Sequence, residues 1–214
     1  KFDDLAERDI ARKKYESSLF GVLYKNLEKA PKKRMIRLNE QFRMHPAIGN
    51  FISSLYYDNE VKAGMKDQEL KKSHGLTVNG LKDKVMVFCD VSHEQGYEKK
   101  GIGKSRECEA KRVMNLVKEI MSDPGGKDLS IGVITFYAAQ RDLIFDEAEK
   151  MGFANRLPSG DYEIDDSVKA TRDGREKFRI GTVDSFQGKE FDVVILSATR
   201  SNTIERKEGN VRKV

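Results

Sequence analysis

The sequence is poor in residues that bind metals or form disulfides. Among 214 residues it has 2 cysteines, 3 histidines and no tryptophan. Cys89 and Cys108 stand alone, and the histidines at 45, 74 and 93 lack the short spacing of a metal-binding pair. Structural zinc sites need four such ligands, and disulfide frameworks need paired cysteines. We therefore predict no metal site, and we expect Cys89, which lies in an apolar stretch, to pack as a small hydrophobic residue.

Long hydrophobic runs are also missing. A helix that spans a bilayer needs about 20 consecutive apolar residues, whereas 38% of this chain is hydrophobic and 35% is charged. Residues 1–23 show no signal-peptide pattern. These absences predict an intracellular protein, cytoplasmic or nuclear, without a membrane partner. The net charge of +5, from 40 Lys plus Arg against 35 Asp plus Glu, is compatible with a nucleic-acid partner but is also common in soluble domains.

Apolar periodicity divides most of the chain into alternating strands and helices. It predicts strands at 34–38, 84–91, 131–136, 178–183 and 192–198. It predicts helices within 1–30 and at 46–56, 104–122 and 138–151. Such alternation is typical of an α/β fold in which helices sandwich a parallel β-sheet. We expect a single domain over 1–214, with a helical lead-in at 1–33 and loop excursions at 62–83 and 157–177.

The most informative segment is 181–190, which reads Gly-Thr-Val-Asp-Ser-Phe-Gln-Gly-Lys-Glu between two predicted strands. Thr182 and Ser185 offer hydroxyl donors, and Gly188 lets the backbone approach an anion. Gln187 and Glu190 can form hydrogen bonds to hydroxyl or amide groups. The segment therefore indicates either a loop that holds phosphates and a nucleotide or an ordinary capped turn between two strands.

A second informative segment is 38–46, which reads Leu-Asn-Glu-Gln-Phe-Arg-Met-His-Pro. Pro46 is suited to the first turn of a helix, so Arg43 lies at a strand-to-helix junction. Open α/β sheets bind ligands at such junctions. Arg43 could clamp a phosphate and Phe42 could stack on a base, although an arginine in a loop is often only a solvated surface charge.

Together, Gln41 to Pro46 and Ser185 to Glu190 resemble the second RecA-like domain of superfamily 1 helicases. The branch they resemble contains the nonsense-mediated-decay helicase and senataxin, where the two motifs read Q-[YF]-R-M-H-P and D-S-F-Q-G-x-E. Residues 131–140 also resemble that family, with Phe136 in place of its usual proline. The resemblance covers nearly the whole chain and implies a RecA-like fold, of the P-loop NTPase type, without a P-loop of its own.

The family's P-loop and its Asp-Glu magnesium box have no counterpart in this sequence. Residues 101–105, Gly-Ile-Gly-Lys-Ser, resemble the end of a P-loop, but Glu98 stands where the pattern requires its first glycine. We interpret the segment as a basic turn before a helix, and its capacity to bind phosphate stays open. The resemblance implies that ATP and Mg²⁺ are held chiefly by an N-terminal RecA-like domain of the same protein, so we expect the chain to be one half of a motor.

The resemblance implies roles for individual residues. Arg43 is similar to an arginine finger, which stabilises the charge on a transferred phosphoryl group. The expected contacts to ATP come from Gln41, Phe42, Gln187, Gly188 and Glu190. The expected contacts to single-stranded nucleic acid come from Thr135, Tyr137, Gln140, Thr182 and Ser185. Arg200 follows a predicted strand and either serves the same cleft or forms a structural ion pair.

The function that the resemblance implies is that of the C-terminal motor domain of an ATP-dependent DNA or RNA helicase. The domain contributes one side of the ATP cleft and a track for a single strand, and the isolated chain is expected to be inactive. A RecA-like module that binds nucleic acid or regulates without catalysis is the alternative. The intact motif residues Arg43, Gln187 and Glu190 favour the helicase.

Overall fold

The computed structural model describes residues 18–29, 35–36, 38–99 and 103–201. The helices are α1 (Leu19–Glu28), α2 (Pro46–Tyr56), α3 (Gln68–Lys71), α4 (Glu107–Ser122) and α5 (Ala138–Lys150). The strands are β1 (Glu40–Gln41), β2 (Lys62–Ala63), β3 (Ile131–Thr135), β4 (Ala154–Arg156), β5 (Tyr162–Ile164), β6 (Phe178–Thr182) and β7 (Val193–Ser197). Short 3-10 helices lie at His93–Gln95, Asp166–Val168 and Val183–Phe186.

A parallel sheet of three strands, in the order β6-β3-β7, forms the centre of the fold. In its register, Ile131 of β3 pairs with Phe178 on one side and with Val193 on the other. Parallel neighbours need crossover connections, and α5 lies in the connection that leaves β3. The prediction of an α/β fold with a parallel sheet flanked by helices is confirmed.

The hydrophobic core lies between one face of this sheet and the helices α4 and α5. The helical spacing of the apolar residues in α4 turns one side of that helix inward. Alternate residues of the strands meet it, because successive side chains of a strand point to opposite faces. The fully or nearly fully buried members include Val113, Met114, Val117, Ile120, Ile131, Val133, Ile144, Ala148, Phe178 and Ile180.

Two smaller sheets each take one strand from a segment that was expected to be a loop. β1 pairs in parallel with β2, which lies at the start of 62–83 together with α3. β5 lies within 157–177 and pairs with β4, just before that range, in an antiparallel hairpin. The ring of Tyr162 stacks on Phe145 of α5 at a centroid distance of 4.9 Å. The second excursion is therefore built onto the core by an aromatic contact.

Two predicted strands do not form among the described residues. Residues 84–91 make no β-bridge, and Phe88 in this segment is 91% exposed. Residues 35, 36 and 38 are also outside strands, and the pairing begins instead at Glu40. A strand exists only through hydrogen bonds to a neighbour, and no described strand lies beside either segment. Cys89 is accordingly exposed, so the expectation that it packs as a hydrophobic residue was wrong.

The helices begin and end close to their predicted positions. α2 starts at Pro46, and the Nδ1 atom of His45 caps it by accepting the N–H of Ala47 at 3.1 Å. α4 starts at Glu107 and not at 104, because Arg106 has an extended backbone. The helical lead-in is represented by α1, while residues 1–17 and 30–34 lie outside the described part of the chain.

A carboxylate ties together the amino ends of β3 and β7. Asp192 accepts hydrogen bonds from the backbone and hydroxyl of Ser130 at 2.9 and 2.8 Å, and it pairs with Arg175 at 3.1 Å. Burial tends to raise the pKa of Asp192, but the bonds from Ser130 and the charge of Arg175 outweigh it and hold the pKa below its ordinary value. Asp192 therefore stabilises the fold in its ionised form.

We expect the Asp192→Asn variant to be less stable than the wild type at neutral pH, by an amount that shrinks under acid. A carboxyl group whose pKa is lowered by folding stabilises the fold above its unfolded pKa, near 3.8, and this contribution is lost as pH falls through the folded value. Urea midpoints measured between pH 7 and pH 3 should converge. Asp166→Asn, at an exposed ion pair with Lys169, is the control, and its urea midpoint at pH 7 should lie close to that of the wild type because exposed pairs contribute little. A deficit for Asp192→Asn that stays constant from pH 7 to pH 3 would contradict the assignment.

Candidate nucleotide and nucleic-acid sites

The loop that carries Arg43 is closed by the side chain of Gln41. The Oε1 atom of Gln41 accepts the backbone N–H groups of Arg43 at 3.0 Å and of Met44 at 2.8 Å, and its Nε2 atom donates to the Met44 carbonyl at 3.1 Å. The amide of Gln41 is thus used within the loop. In this structure Gln41 orders the residues around Arg43, and its side chain has little capacity left for a nucleotide.

Gln68, on α3, supports the same loop from outside and was not found by the sequence analysis. Its side chain is fully buried, donates to the Met44 carbonyl at 2.7 Å and accepts the N–H of Met65 at 3.2 Å. Phe42, in contrast, is 53% exposed. Its ring lies so close to Gly64 that a Cβ there would clash with it. The outer end of the Phe42 ring therefore lies against Gly64 while much of the side chain stays accessible.

Arg43 meets the second motif directly. Its Nη2 atom donates to the carbonyl of Lys189, 146 residues away in sequence, and its Nε atom lies 3.3 Å from Oε1 of Glu190. The side chains of Arg43 and Glu190 are 57% and 65% exposed, so both remain open to solvent. The two segments that resemble helicase motifs are therefore adjacent in the fold, and an exposed guanidinium lies beside an exposed carboxylate.

The turn at 187–190 leaves its backbone accessible. Gly188 has a φ of +76°, in the left-handed region that favours glycine, and a Cβ at this position would meet nothing within 4 Å. Gln187 is exposed, and its N–H bonds the Asp184 carbonyl at 3.3 Å. Exposed backbone of this kind can approach a phosphate or a sugar closely. These residues fit one side of a nucleotide, because they offer a cation, a carboxylate, an amide and open backbone.

Arg43 and Glu190 lie at the opposite end of the central sheet from Thr135 and Thr182. Glu190 precedes β7 by three residues, and the Nζ atom of Lys189 lies 3.3 Å from Glu176, just before β6. Thr135 and Thr182 instead end β3 and β6, at the carboxyl edge. Five residues of strand span about 16 Å. Arg43, Lys189 and Glu190 are therefore separated from Thr135 and Thr182 by about the length of a strand, and the segment that follows Thr182 connects the two ends.

The candidates for the nucleic-acid track differ in accessibility. Tyr137 and Thr182 are partly exposed, and Ser185 is exposed, although its hydroxyl donates to the Thr182 carbonyl at 2.7 Å. Thr135 and Gln140 are both fully buried. Neither Thr135 nor Gln140 can contact single-stranded nucleic acid in this structure. Both lie beneath the surface, where they can only support the residues that are exposed.

Gln140 belongs to a buried polar network that sequence analysis did not anticipate. Its Oε1 atom accepts the N–H of Arg106 at 2.6 Å, and its Nε2 atom donates to the hydroxyl of Ser197 at 3.1 Å. The hydroxyl of Ser197 and the N–H of Thr199 both donate to Oε1 of Glu109, at 2.7 and 2.9 Å. The network therefore joins the start of α4 and the start of α5 to the end of β7.

Arg106 completes this network and holds the preceding segment. Only 3% of Arg106 is exposed, and its Nη1 atom lies 3.6 Å from the Glu109 carboxylate. Its guanidinium also donates to the carbonyls of Gly96 at 2.8 Å, Val91 at 2.7 Å and Ser92 at 2.6 Å. The sequence placed Arg106 only within the predicted helix at 104–122, and its burial could not be deduced from that position.

The segment that resembles the end of a P-loop is not arranged as one over its described residues. Ser105 is buried, and the ammonium group of Lys104 lies 3.3 Å from the carboxylate of Glu98. In a P-loop the lysine and the hydroxyl must both reach phosphates. Within the described ranges, no cluster of His, Cys, Asp or Glu could hold a metal ion, and no helix is long and apolar enough to cross a membrane.

Comparisons with known proteins give the same family for most of the chain. A family model described as an AAA domain matches residues 15–212. Regulator of nonsense transcripts 1 of Caenorhabditis elegans is 30% identical over 172 residues, which cover 80% of this chain and 14% of that protein. The Neurospora crassa homolog of that regulator is 28% identical over 199 residues, which cover 92% of this chain and 16% of that protein.

One of the relatives carries the name of a helicase. The ATP-dependent helicase NAM7 of Saccharomyces cerevisiae is 27% identical over 198 residues, which cover 92% of this chain and 18% of that protein. The chain thus spans less than a fifth of the length of these three relatives. Because the family model matches nearly the whole chain, the chain belongs to this AAA domain family, within the superfamily 1 helicase branch that its two motifs resemble.

Proposed function

We propose that this chain is the C-terminal motor domain of an ATP-dependent helicase, and that it contributes one side of an ATP cleft and a track for single-stranded nucleic acid. The contact between Arg43 and the Lys189–Glu190 turn carries this proposal. Two segments that resemble helicase motifs converge there on one exposed surface. The name of the yeast relative, an ATP-dependent helicase, supports the same reading.

In the proposed cleft, Arg43 is the catalytic residue. ATP would enter between this chain and an N-terminal RecA-like domain of a longer protein. The guanidinium of Arg43 would then leave Glu190 and donate to the γ-phosphate, where it stabilises the charge that develops during transfer. Glu190, freed from Arg43, would accept a hydrogen bond from the ribose. Charge exchange of this kind couples nucleotide binding to closure of the two domains.

The remaining nucleotide contacts would come from three positions around the cleft. Gln187 has an exposed side chain, and the open backbone at Gly188 lets a phosphate or sugar approach. The half-exposed ring of Phe42 would stack on the base. Gln41 would act indirectly, because it fixes the loop that presents Arg43. Mg²⁺ would be held with the phosphates by carboxylates of the N-terminal domain.

The nucleic-acid track is proposed at the carboxyl ends of β3 and β6. Tyr137, Thr182 and Ser185 would contact the sugar-phosphate backbone with hydroxyl groups. Contacts of this type carry no base information, so they suit an enzyme that moves along any sequence. Thr135 and Gln140 would position this edge from below, because both are buried. The strand would be DNA or RNA in an intracellular compartment.

We expect the isolated chain of 214 residues to hydrolyse no ATP, with or without single-stranded RNA or DNA, because the groups proposed to hold the triphosphate and Mg²⁺ belong to another domain. A longer protein that carries this chain after an N-terminal RecA-like domain should hydrolyse ATP, and single strands should accelerate it. Phosphate release measured side by side for the two proteins tests this. ATP hydrolysis by the isolated chain at the rate of the longer protein would contradict the proposal that the ATP site is shared between two domains.

A further inference from the structure

A group of charged side chains lies at the carboxyl edge of the sheet and has no part in the nucleotide site. Glu98 is at its centre, with 11% of its side chain exposed. Oε1 of Glu98 lies 3.3 Å from Nζ of Lys104, and Oε2 lies 3.3 Å from Nε of Arg200. The N–H of Ser201 donates to Oε2 at 3.1 Å. One carboxylate therefore holds two cations that come from different parts of the chain.

This group is joined to the proposed nucleic-acid track. Nη1 of Arg200 donates to the hydroxyl of Tyr137 at 3.5 Å, and Tyr137 follows the end of β3. Arg200 follows Thr199, whose φ of +68° lies in the left-handed region that β-branched residues rarely adopt. Thr199 is fully buried and its N–H is bonded to Glu109. The chain is thus turned by a buried contact immediately before Arg200.

The charges do not cancel within the group. Burial tends to raise the pKa of Glu98, but the hydrogen bond from Ser201 and the charges of Lys104 and Arg200 lower it below its ordinary value, so Glu98 is ionised. One negative and two positive charges leave one net positive charge. The side chain of Arg200 is 55% exposed and that of Lys104 is 24% exposed. An anion can therefore reach both cations without breaking the group apart.

We propose that Arg200 and Lys104, oriented by their shared partner Glu98, bind a phosphate of single-stranded nucleic acid next to Tyr137. The proposal rests on the function proposed above and adds two specific contacts to its track. Lys104, which belongs to the segment that resembles a P-loop, thereby binds the phosphate of the strand and not that of ATP. Arginine presents several donors in a fixed fork, and lysine adds a point charge, so the pair can hold one phosphate from two sides.

The test measures binding of a fluorescein-labelled single-stranded 20-mer of uridine to the 214-residue chain, by anisotropy between 50 and 200 mM KCl. Arg200→Gln and Lys104→Gln remove one charge each with little change of size. Each should lower the slope of log K against log salt by about 0.7, which corresponds to about a fivefold loss of affinity at 0.1 M salt. Glu98→Gln should bind more tightly, since the two cations would then face the strand without a neutralising charge.

Arg172→Gln is the matched control, because Arg172 is 81% exposed and forms an ion pair with Asp128 before β3, at the other end of the sheet. It should change neither the slope nor the affinity beyond twofold. If the wild type binds and the Arg200 and Lys104 variants bind equally well, the pair is only a structural ion group; the phosphate contact is then contradicted, while the proposed track is not. If the wild type shows no binding at 50 mM KCl, both the phosphate contact and the proposed track are contradicted. Thermal unfolding of each variant establishes that it is folded.

Discussion

Replacing Arg43 with alanine is expected to lower strand-stimulated ATP hydrolysis by about 10³-fold or more in a longer protein that carries this chain. An arginine finger contributes rate factors of this size, because it stabilises charge that appears only during phosphoryl transfer. Binding of single strands should stay within about twofold of the wild type, since Arg43 lies near the amino ends of β6 and β7, away from the proposed track. Steady-state hydrolysis and anisotropy on the same preparations measure both.

The Arg43 experiment has two controls. Arg43→Lys keeps the charge but loses the planar fork, so it should recover little of the activity. Arg112→Ala removes an arginine of similar exposure from its ion pair with Glu119 on α4, which supplies none of the proposed nucleotide contacts, and should leave hydrolysis unchanged. Wild-type turnover in Arg43→Ala would contradict the assignment of a catalytic role to Arg43. Loss of strand binding together with hydrolysis would indicate that the substitution had disturbed the fold.

Arg106→Ala is expected to destabilise the chain by about 3–5 kcal/mol, the cost of removing one partner of a buried ion pair. The substitution leaves the carboxylate of Glu109 without its nearest cation. It also removes the donors to the carbonyls of Val91, Ser92 and Gly96. Buried polar groups without partners account for most of such a cost. Urea unfolding followed by circular dichroism measures the change.

Arg112→Ala provides the comparison on the same helix. Arg112 forms an ion pair with Glu119 at 3.4 Å, and both side chains are 46% exposed. Exposed pairs contribute at most about 1 kcal/mol, so this variant should unfold close to the wild type. Equal effects of the two substitutions would show that the Arg106 network contributes no more than a surface pair. Such a result would also remove the support that we assign to Gln140 beneath the track.

Much of the fold could be predicted because the sequence pattern within each element indicates whether it is a helix or a strand. The helices α2, α4 and α5 have apolar residues at helical spacing. β3 and β7 are short, mostly apolar runs, and β6 begins with apolar and polar residues in alternation. These patterns arise from burial on one face or on both, so they survive without knowledge of the partners. Even the proline at the start of α2 acts through local geometry.

The strands expected at 34–38 and 84–91 show where local patterns are insufficient. Their apolar residues fit a strand, yet Ile36 and Phe88 are more than 90% exposed and no described strand pairs with them. Pairing is a property of two segments, and a sequence pattern reports only one of them. The hairpin of β4 and β5 is the opposite case, because a polar segment became ordered through contacts such as Tyr162 on Phe145.

The candidate sites divide in a similar way. Motif resemblance selected Arg43 and Glu190, and the structure brings these two side chains within 3.3 Å. Burial could not be deduced from the sequence, so Thr135 was expected to contact a phosphate of the strand but lies beneath the surface. Gln68 and Arg106 were missed because each acts through backbone carbonyls, which leave no mark on residue type.

The most direct test is a structure of the longer protein with single-stranded RNA and ADP with aluminium fluoride, a mimic of the transferred phosphoryl group. The quantity to measure is the distance from the guanidinium nitrogens of Arg43 to the nearest fluorine atom of that mimic. We predict a hydrogen-bond distance of about 3 Å, with Arg43 released from Glu190. An Arg43 that still contacts Lys189 and Glu190, beside a phosphoryl mimic held by the N-terminal domain alone, would contradict the proposal that this chain completes the ATP site.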